Sequence, residues 1–182
     1  LTQKMDPYEE SMRVPLAIAG PGIDPGRSDA MALSIDLAPT VLDWAGIPIP
    51  DRMDGRSLVP VLSGAGGGWR NDFVAEYGGA GYTGRDGIAQ EQIPGTDTPI
   101  VYALDMPSWS AVRTDRYLYV RWYERERPLD RREYELYDLW TDPYQLTNLI
   151  KTPEGRAAHT DVVAALDRRL TTLTTCSGAG CR

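Results

Sequence analysis

Three short runs of alternating apolar and polar residues constrain this chain most: Trp109 to Arg113, Tyr117 to Tyr123 and Tyr134 to Leu139, the first two joined near Thr114-Asp115. Alternation of period two suits strands with one face buried, so the runs predict an antiparallel meander. The stretch from about Glu154 to Leu173 then repeats Val162, Leu166, Leu170 and Leu173 at helical spacing. It predicts a helix that lays this stripe on the meander. Between them, Asp142-Pro143 places a capping residue before a proline suited to the first helical position, which predicts a short helical turn. His159, the one histidine, falls on the terminal helix and reads as a surface or capping residue, because no catalytic partner surrounds it in sequence. Residues 109–182 thus form a small α+β unit.

The preceding residues have a different texture. Val14 to Ala19 reads as a buried strand that closes on the turn cluster Gly20-Pro21-Gly22-Ile23-Asp24-Pro25-Gly26. Asp36 to Gly46 reads as a short helix, with Asp36 as its cap, Pro39 in the first turn, Gly46 at the left-handed end, and Leu37, Val41 and Trp44 on one face. Phe73 to Tyr77 reads as another strand. Residues 1–75 therefore resemble the last elements of a larger α/β domain, and 76–108 a long Gly/Pro-rich loop. Ser63-Gly64-Ala65-Gly66-Gly67-Gly68 is a flexible connection and not a phosphate loop, since no Lys-Ser/Thr follows it. Within 78–107, Tyr82, Arg85 and Tyr102 suit a segment that reaches over a substrate opening; a surface insertion is the alternative. The first fifteen residues, charged and turn-rich with no initiator Met or apolar leader, read as the interior of an enzyme, and the chain is expected to be a piece of a longer protein.

Charge and composition exclude several roles. The 182 residues, 42% hydrophobic, suffice for one domain core or parts of two, and no apolar run approaches the roughly 20 residues a bilayer span requires. A formal charge of −7 argues against nonspecific attachment to nucleic acid. The basic candidate, Arg121 to Glu133, sets five arginines against four carboxylates and reads as a charged hairpin tip. Cys176 and Cys181 are spaced for a tight disulfide loop, worth roughly 2 kcal/mol or less. Structural zinc would want four ligands, and two Cys with one His do not supply them. A disulfide favours an oxidising, extracellular or periplasmic compartment.

A series of motifs, in order and at matching spacing, resembles the C-terminal part of the formylglycine-dependent sulfatases of the alkaline phosphatase superfamily. The words are Lys4 followed by Tyr8-Glu9-Glu10-Ser11-Met12-Arg13-Val14-Pro15, Gly20-Pro21-Gly22, Asp36-Leu37-Ala38-Pro39-Thr40 and Met53-Asp54-Gly55-Arg56-Ser57-Leu58. Farther on come Ala111-Val112-Arg113-Thr114-Asp115-Arg116-Tyr117, Glu135-Leu136-Tyr137-Asp138-Leu139, Asp142-Pro143 and Leu146-Thr147-Asn148-Leu149. The ending Cys176 to Arg182 is most similar to the branch that desulfates glucosamine 6-sulfate. The resemblance implies an alkaline-phosphatase-like α/β domain followed by a small antiparallel subdomain.

It also implies a mechanism. A formylglycine made from Cys or Ser in a Cys/Ser-x-Pro/Ala-x-Arg motif attacks sulfur, and calcium polarises the sulfate oxygens. Neither cysteine and no serine here sits in that motif, so nucleophile and metal ligands are expected upstream of this chain, which alone would be inactive. Lys4, one of two lysines, aligns with the family lysine whose ammonium faces the sulfate or its leaving oxygen, and is the catalytic candidate. Arg13 and Arg113 read as structural partners of nearby carboxylates. The implied substrate is a sulfated carbohydrate or aryl sulfate, and the implied partner is the upstream half of the same catalytic domain. Two other readings stay open: a stand-alone glycan- or partner-binding module without catalysis, and a related phosphate or phosphonate ester hydrolase.

Overall fold

In a computed structural model, residues 6–65, 67–78, 88–92, 99–103, 107–123 and 133–181 are described, with 88–92, 99–103, 123 and 179 as backbone only. The meander is present. Strands β4 (Ser108–Thr114), β5 (Tyr117–Tyr123) and β6 (Glu133–Asp138) pair antiparallel in chain order, and β1 (Asp72–Tyr77) adds a fourth strand beside β4. Phe73 to Tyr77 is thus a strand as expected, yet its partner lies across the long connection, with Val74 opposite Val112. Within that connection β2 (Ile88–Gln92) and β3 (Pro99–Ala103) form a separate antiparallel pair, although no period in the sequence announces them.

Register explains the core. One row runs Val74, Val112, Tyr119, Leu136 across the four strands, all on one face because successive residues alternate sides. Against that row pack Leu166, Leu170 and Leu173 of α5 (Thr160–Thr175), with Ile150. The helical stripe lies where its spacing requires. Polar bonds fix the helix along the sheet: Tyr119 and Arg121 both donate to Asp167, at 2.9 and 2.5 Å, and Arg169 donates two bonds to Asp72. The terminal helical segment is interrupted: α4 (Pro153–Ala158) ends at His159, whose Nδ1 lies 2.9 Å from the Gly155 carbonyl, and α5 starts from there. His159 is a junction residue.

The opposite face carries Trp109, Ala111, Leu118, Val120 and Tyr137, and it is covered by Tyr8 and Met12 around the single-turn helix α1 (Glu9–Met12). The sheet is therefore buried on both sides, between the C-terminal helix and the N-terminal segment. Edge strand β6 is protected rather than open: Asn148 accepts from Leu136 N and donates to the Tyr134 carbonyl, and Leu149 N donates to Leu136 O at 2.9 Å.

Three expectations are corrected, and one helix forms as expected with its apolar face uncovered. Val14 to Ala19 pairs with no described strand, and Val14 and Leu16 are 60% and 50% exposed; an apolar extended segment becomes a buried strand only with neighbours on either side. The helix α2 (Leu37–Trp44) forms and ends at Gly46 with φ 68°, but its apolar face is bare, with Leu37, Val41 and Trp44 at 43%, 62% and 49%. Asp36 occupies the N-cap position of α2, but its side chain makes no capping bond to that helix; it reaches back to Leu33 N and is turned into the protein. Asp142 starts no helix. Its carboxylate accepts from Leu146 N and Thr147 N at 3.0 and 2.8 Å, holding a turn instead.

The cysteines are joined as Cys176–Cys181. The closed loop docks on the segment around Asp51 to Asp54: Gly178 N donates to Asp54 Oδ1, and a Cβ on Gly178, at φ 56°, would come within 2.2 Å of Asp51 O. The disulfide thus pins the chain end to the first half of the protein.

Candidate functional site

Two polar clusters hold the sequence words together, and both are built from residues distant in the chain. In the first, Asp36 is fully buried. A buried carboxylate must have its charge and lone pairs satisfied. Leu33 N and Arg56 N donate to it at 2.7 and 2.8 Å, and Arg70 grips it with both terminal nitrogens, Nη2 at 2.7 Å from Oδ1. Thr40, one turn on, accepts from Leu58 N at 2.8 Å while donating to the Asp36 carbonyl at 2.6 Å. Gly55 lies so close to this turn that a Cβ would stand 2.0 Å from Ile35 O. Arg70 also stacks on Trp69, 4.9 Å from the ring centre, and both donate to the Met31 carbonyl. The words Asp36 to Thr40 and Met53 to Leu58 are therefore one interlocked structure, closed by Arg70. Its function is architectural, since every Asp36 oxygen is already engaged.

The second cluster clamps the N-terminal segment onto the sheet. Glu9 accepts from Arg113 at 3.1 and 3.4 Å, and Arg13 lies 3.9 Å from its Oε2, so both arginines have the carboxylate partner expected of them. Glu9 N donates to Gln145 Oε1 at 2.9 Å, and Gln145 Nε2 donates to the Pro143 carbonyl at 3.2 Å. Tyr8 and Tyr137 both donate to Glu135 Oε2, at 3.2 and 3.1 Å, with their rings edge to face. Gln145 sits at φ 52°, alone among described non-glycine residues in having positive φ, a conformation that costs on the order of 1 kcal/mol and persists only where its surroundings enforce it.

Burial, with the Glu135 charge beside it, pushes the Tyr8 hydroxyl from 10.0 up to about 12, and raises Tyr137 for the same reasons. The fold holds the neutral phenol, so the contribution of Tyr8 to stability is whole below pH 10 and is lost as pH rises through about 12. An absorbance titration of the protein against its Tyr8→Phe variant should give a difference band with a midpoint near 12. A midpoint at the ordinary tyrosine value would mean that Tyr8 is not held on Glu135.

The sequence-derived candidates fall as follows. Lys4 lies outside the described residues, four positions before the clamped Tyr8 in sequence. Cys176 and Cys181 are bonded to each other. Arg121 is occupied by Asp167, and 124–132 of the charged tip, like Tyr82 and Arg85, lie outside the described residues; Tyr102 is described as β3 backbone only. Sequence reading missed Gln145, Glu135 and Tyr137 as anchors and Arg70 as the partner of Asp36. No local pattern marks a glutamine for positive φ or pairs two residues 34 positions apart. Among the described residues no group of three or more His, Cys, Asp or Glu side chains is placed to hold a metal.

Comparison with known proteins agrees with the motif pattern. Residues 3–88 match the family described as N-sulphoglucosamine sulphohydrolase, C-terminal. Over 96% of its length the chain is 36% identical to N-acetylglucosamine-6-sulfatase of Homo sapiens, covering 32% of that protein. Among solved structures it is similar to a 2-O GAG sulfatase (TM-score 0.56, 26% identity, 86% of this chain and 29% of that one). It is also similar to a phosphonate monoester hydrolase from Silicibacter pomeroyi (TM-score 0.55, 25% identity, 88% of this chain and 29% of that one). The chain spans about a third of the length of the curated relatives it matches. By its motifs, its fold and these similarities, the chain belongs to the sulfatases and has the sequence of their C-terminal part.

Proposed function

We propose that this chain serves in a complete sulfatase that hydrolyses the sulfate ester of a sugar, a 6-sulfated glucosamine being the first substrate to test. The observation that carries the reading is the similarity to N-acetylglucosamine-6-sulfatase over nearly the whole chain. It is supported by the motif words, whose buried polar atoms bond to one another. In this reading Lys4 brings an ammonium to the sulfate or its leaving oxygen, where a cation counts most as negative charge develops in the transition state.

Formylglycine and calcium belong to the remainder of the enzyme. The described residues do not suit either: both cysteines are consumed by their disulfide, and the one fully buried carboxylate, Asp36, is neutralised by Arg70. The bare apolar face of α2, with Val14 and Leu16, is where the rest of the catalytic domain packs; an apolar surface of this kind in a secreted protein calls for a covering partner. That face also weighs against a stand-alone glycan-binding module.

A phosphonate or phosphate ester hydrolase is the second reading, favoured by the similarity to the phosphonate monoester hydrolase. The two separate in one experiment. The complete protein is assayed side by side on glucosamine 6-sulfate, an aryl sulfate and an aryl phosphonate monoester. Preference for the sulfates supports the proposal, preference for the phosphonate installs the second reading, and glycan binding without turnover of any ester rejects both.

A further inference from the structure

The Cys176–Cys181 bridge closes a ring too small to hold a fold, and places it where it holds a contact. With only four residues between the cysteines, the bridge removes little freedom from the unfolded chain, so its worth to global stability is modest. What the ring fixes is the backbone at Gly178. That residue sits at φ 56° and approaches the first half so closely that a Cβ would stand 2.2 Å from the Asp51 carbonyl oxygen and 3.3 Å from the Arg52 α-carbon. In this conformation its N–H donates to Asp54 Oδ1. A free chain end would have to order several residues to make the same contact. The ring orders them in advance, and Cys176 anchors it by packing on the cluster that contains Val112, Leu166 and Leu170.

The contact has consequential neighbours. Asp54 directly precedes Gly55, which lies against the Ile35 carbonyl, and Arg56 N and Leu58 N donate to Asp36 and Thr40. Holding Asp54 therefore holds the segment that closes the buried Asp36 cluster. The bridge is also within reach of a reagent: both cysteines are only half-buried, and Ser177 and Gly180 within the ring are exposed. The reduced form is provided for as well. Cys176 Sγ lies 3.1 Å from the Leu173 carbonyl, one of the last carbonyls of α5 with no helical partner, so a thiol at that position finds an acceptor.

We propose that the Cys176–Cys181 ring is a redox latch on the segment 51–58, opened by a dithiol reductant. A thiolate of the dithiol attacks one sulfur, and the electron pair of the broken S–S bond leaves on the other as a thiolate that takes up a proton. The second thiol of the reagent then displaces the protein, which leaves Cys176 and Cys181 as thiols and the reagent as its cyclic disulfide. Once open, the ring no longer holds Gly178 in its left-handed conformation, and Asp54 loses its amide. The segment over Asp36 loosens while the sheet and α5 stay folded. The latch is independent of which ester the complete protein cleaves.

Hydrogen exchange of the complete protein, followed by mass spectrometry before and after dithiothreitol under native conditions, tests the latch. Reduction should speed exchange in peptides carrying the Arg56 and Leu58 amides about tenfold and leave peptides of β4 and β5 unchanged, and reoxidation should restore the slow rate. Because dithiothreitol attacks any disulfide it can reach, the Cys176→Ser/Cys181→Ser variant should show the same local acceleration without reductant. Gly178→Ala keeps the bridge but cannot seat against Asp51, so it should reproduce the effect, and its reduction should add less than about twofold because both changes break one contact. Unchanged exchange over 51–58 in the opened protein would overturn the latch. So would acceleration spread evenly over the sheet, the mark of a global staple, or a bridge that dithiothreitol leaves intact in the folded protein.

Discussion

Arg70→Ala should destabilise the protein by about 3–5 kcal/mol, among the largest losses a single substitution here can produce. The reason is the asymmetry of a buried ion pair. The Asp36 side chain has no exposure and that of Arg70 only 6%, so removing the guanidinium leaves a carboxylate that water cannot reach. Two backbone amides remain on it, from Leu33 and Arg56, but they carry partial charges and cannot replace a full one. The variant also loses the stacking on Trp69 and a donor to Met31 O. Replacing both partners with apolar residues of similar volume removes the orphan charge but leaves Leu33 N and Arg56 N without their acceptor, so it should recover only part of the loss. Urea unfolding of wild type, Arg70→Ala and the double variant measures all three. A loss below about 1 kcal/mol for Arg70→Ala would mean that the pair behaves as a surface salt bridge.

The second large effect concerns rate. On the role proposed for Lys4, its replacement by Ala in the complete enzyme should lower kcat about a hundred- to a thousandfold, the magnitude found when a preorganised group that stabilises developing negative charge is removed. The melting temperature should stay where the wild type has it, because Tyr8 and Glu9 keep Glu135, Arg113 and Gln145. Steady-state kinetics with a thermal melt on the same preparation decides the matter. A rate within about twofold of wild type would show that charge at the leaving oxygen is neutralised by another group.

What was legible in the sequence follows the range of the physics involved. The meander and the stripe of Leu166, Leu170 and Leu173 could be read because alternation and helical spacing are local patterns, and the sheet buries the faces they predict. The left-handed turn at Gly46 was legible for the same reason. Val14 to Ala19 was misread as a buried strand because an apolar pattern states that a surface needs a partner, not that the partner is within the chain; the helix carrying Leu37, Val41 and Trp44 forms, and its face is bare for the same reason. The pairing of β1 with β4 crosses a long intervening segment whose own two strands carry no clear period, so loop closure hid it. Asp36 shows the limit most sharply. An aspartate ahead of an apolar run has the pattern of a helix cap, and only Arg70 and the Arg56 amide turn it into a buried anchor. The words resembling the sulfatases were legible as words. That most of them are structural ties, with Lys4 outside the described residues, required the geometry.

Ion chromatography of the inorganic sulfate released when the complete protein is incubated with glucosamine 6-sulfate decides whether the proposed hydrolysis takes place. Sulfate should appear stoichiometrically with desulfated sugar over many turnovers and be nearly abolished by Lys4→Ala. No sulfate from this or any sulfated sugar, with the protein folded and its formylglycine formed, would contradict the proposed hydrolysis.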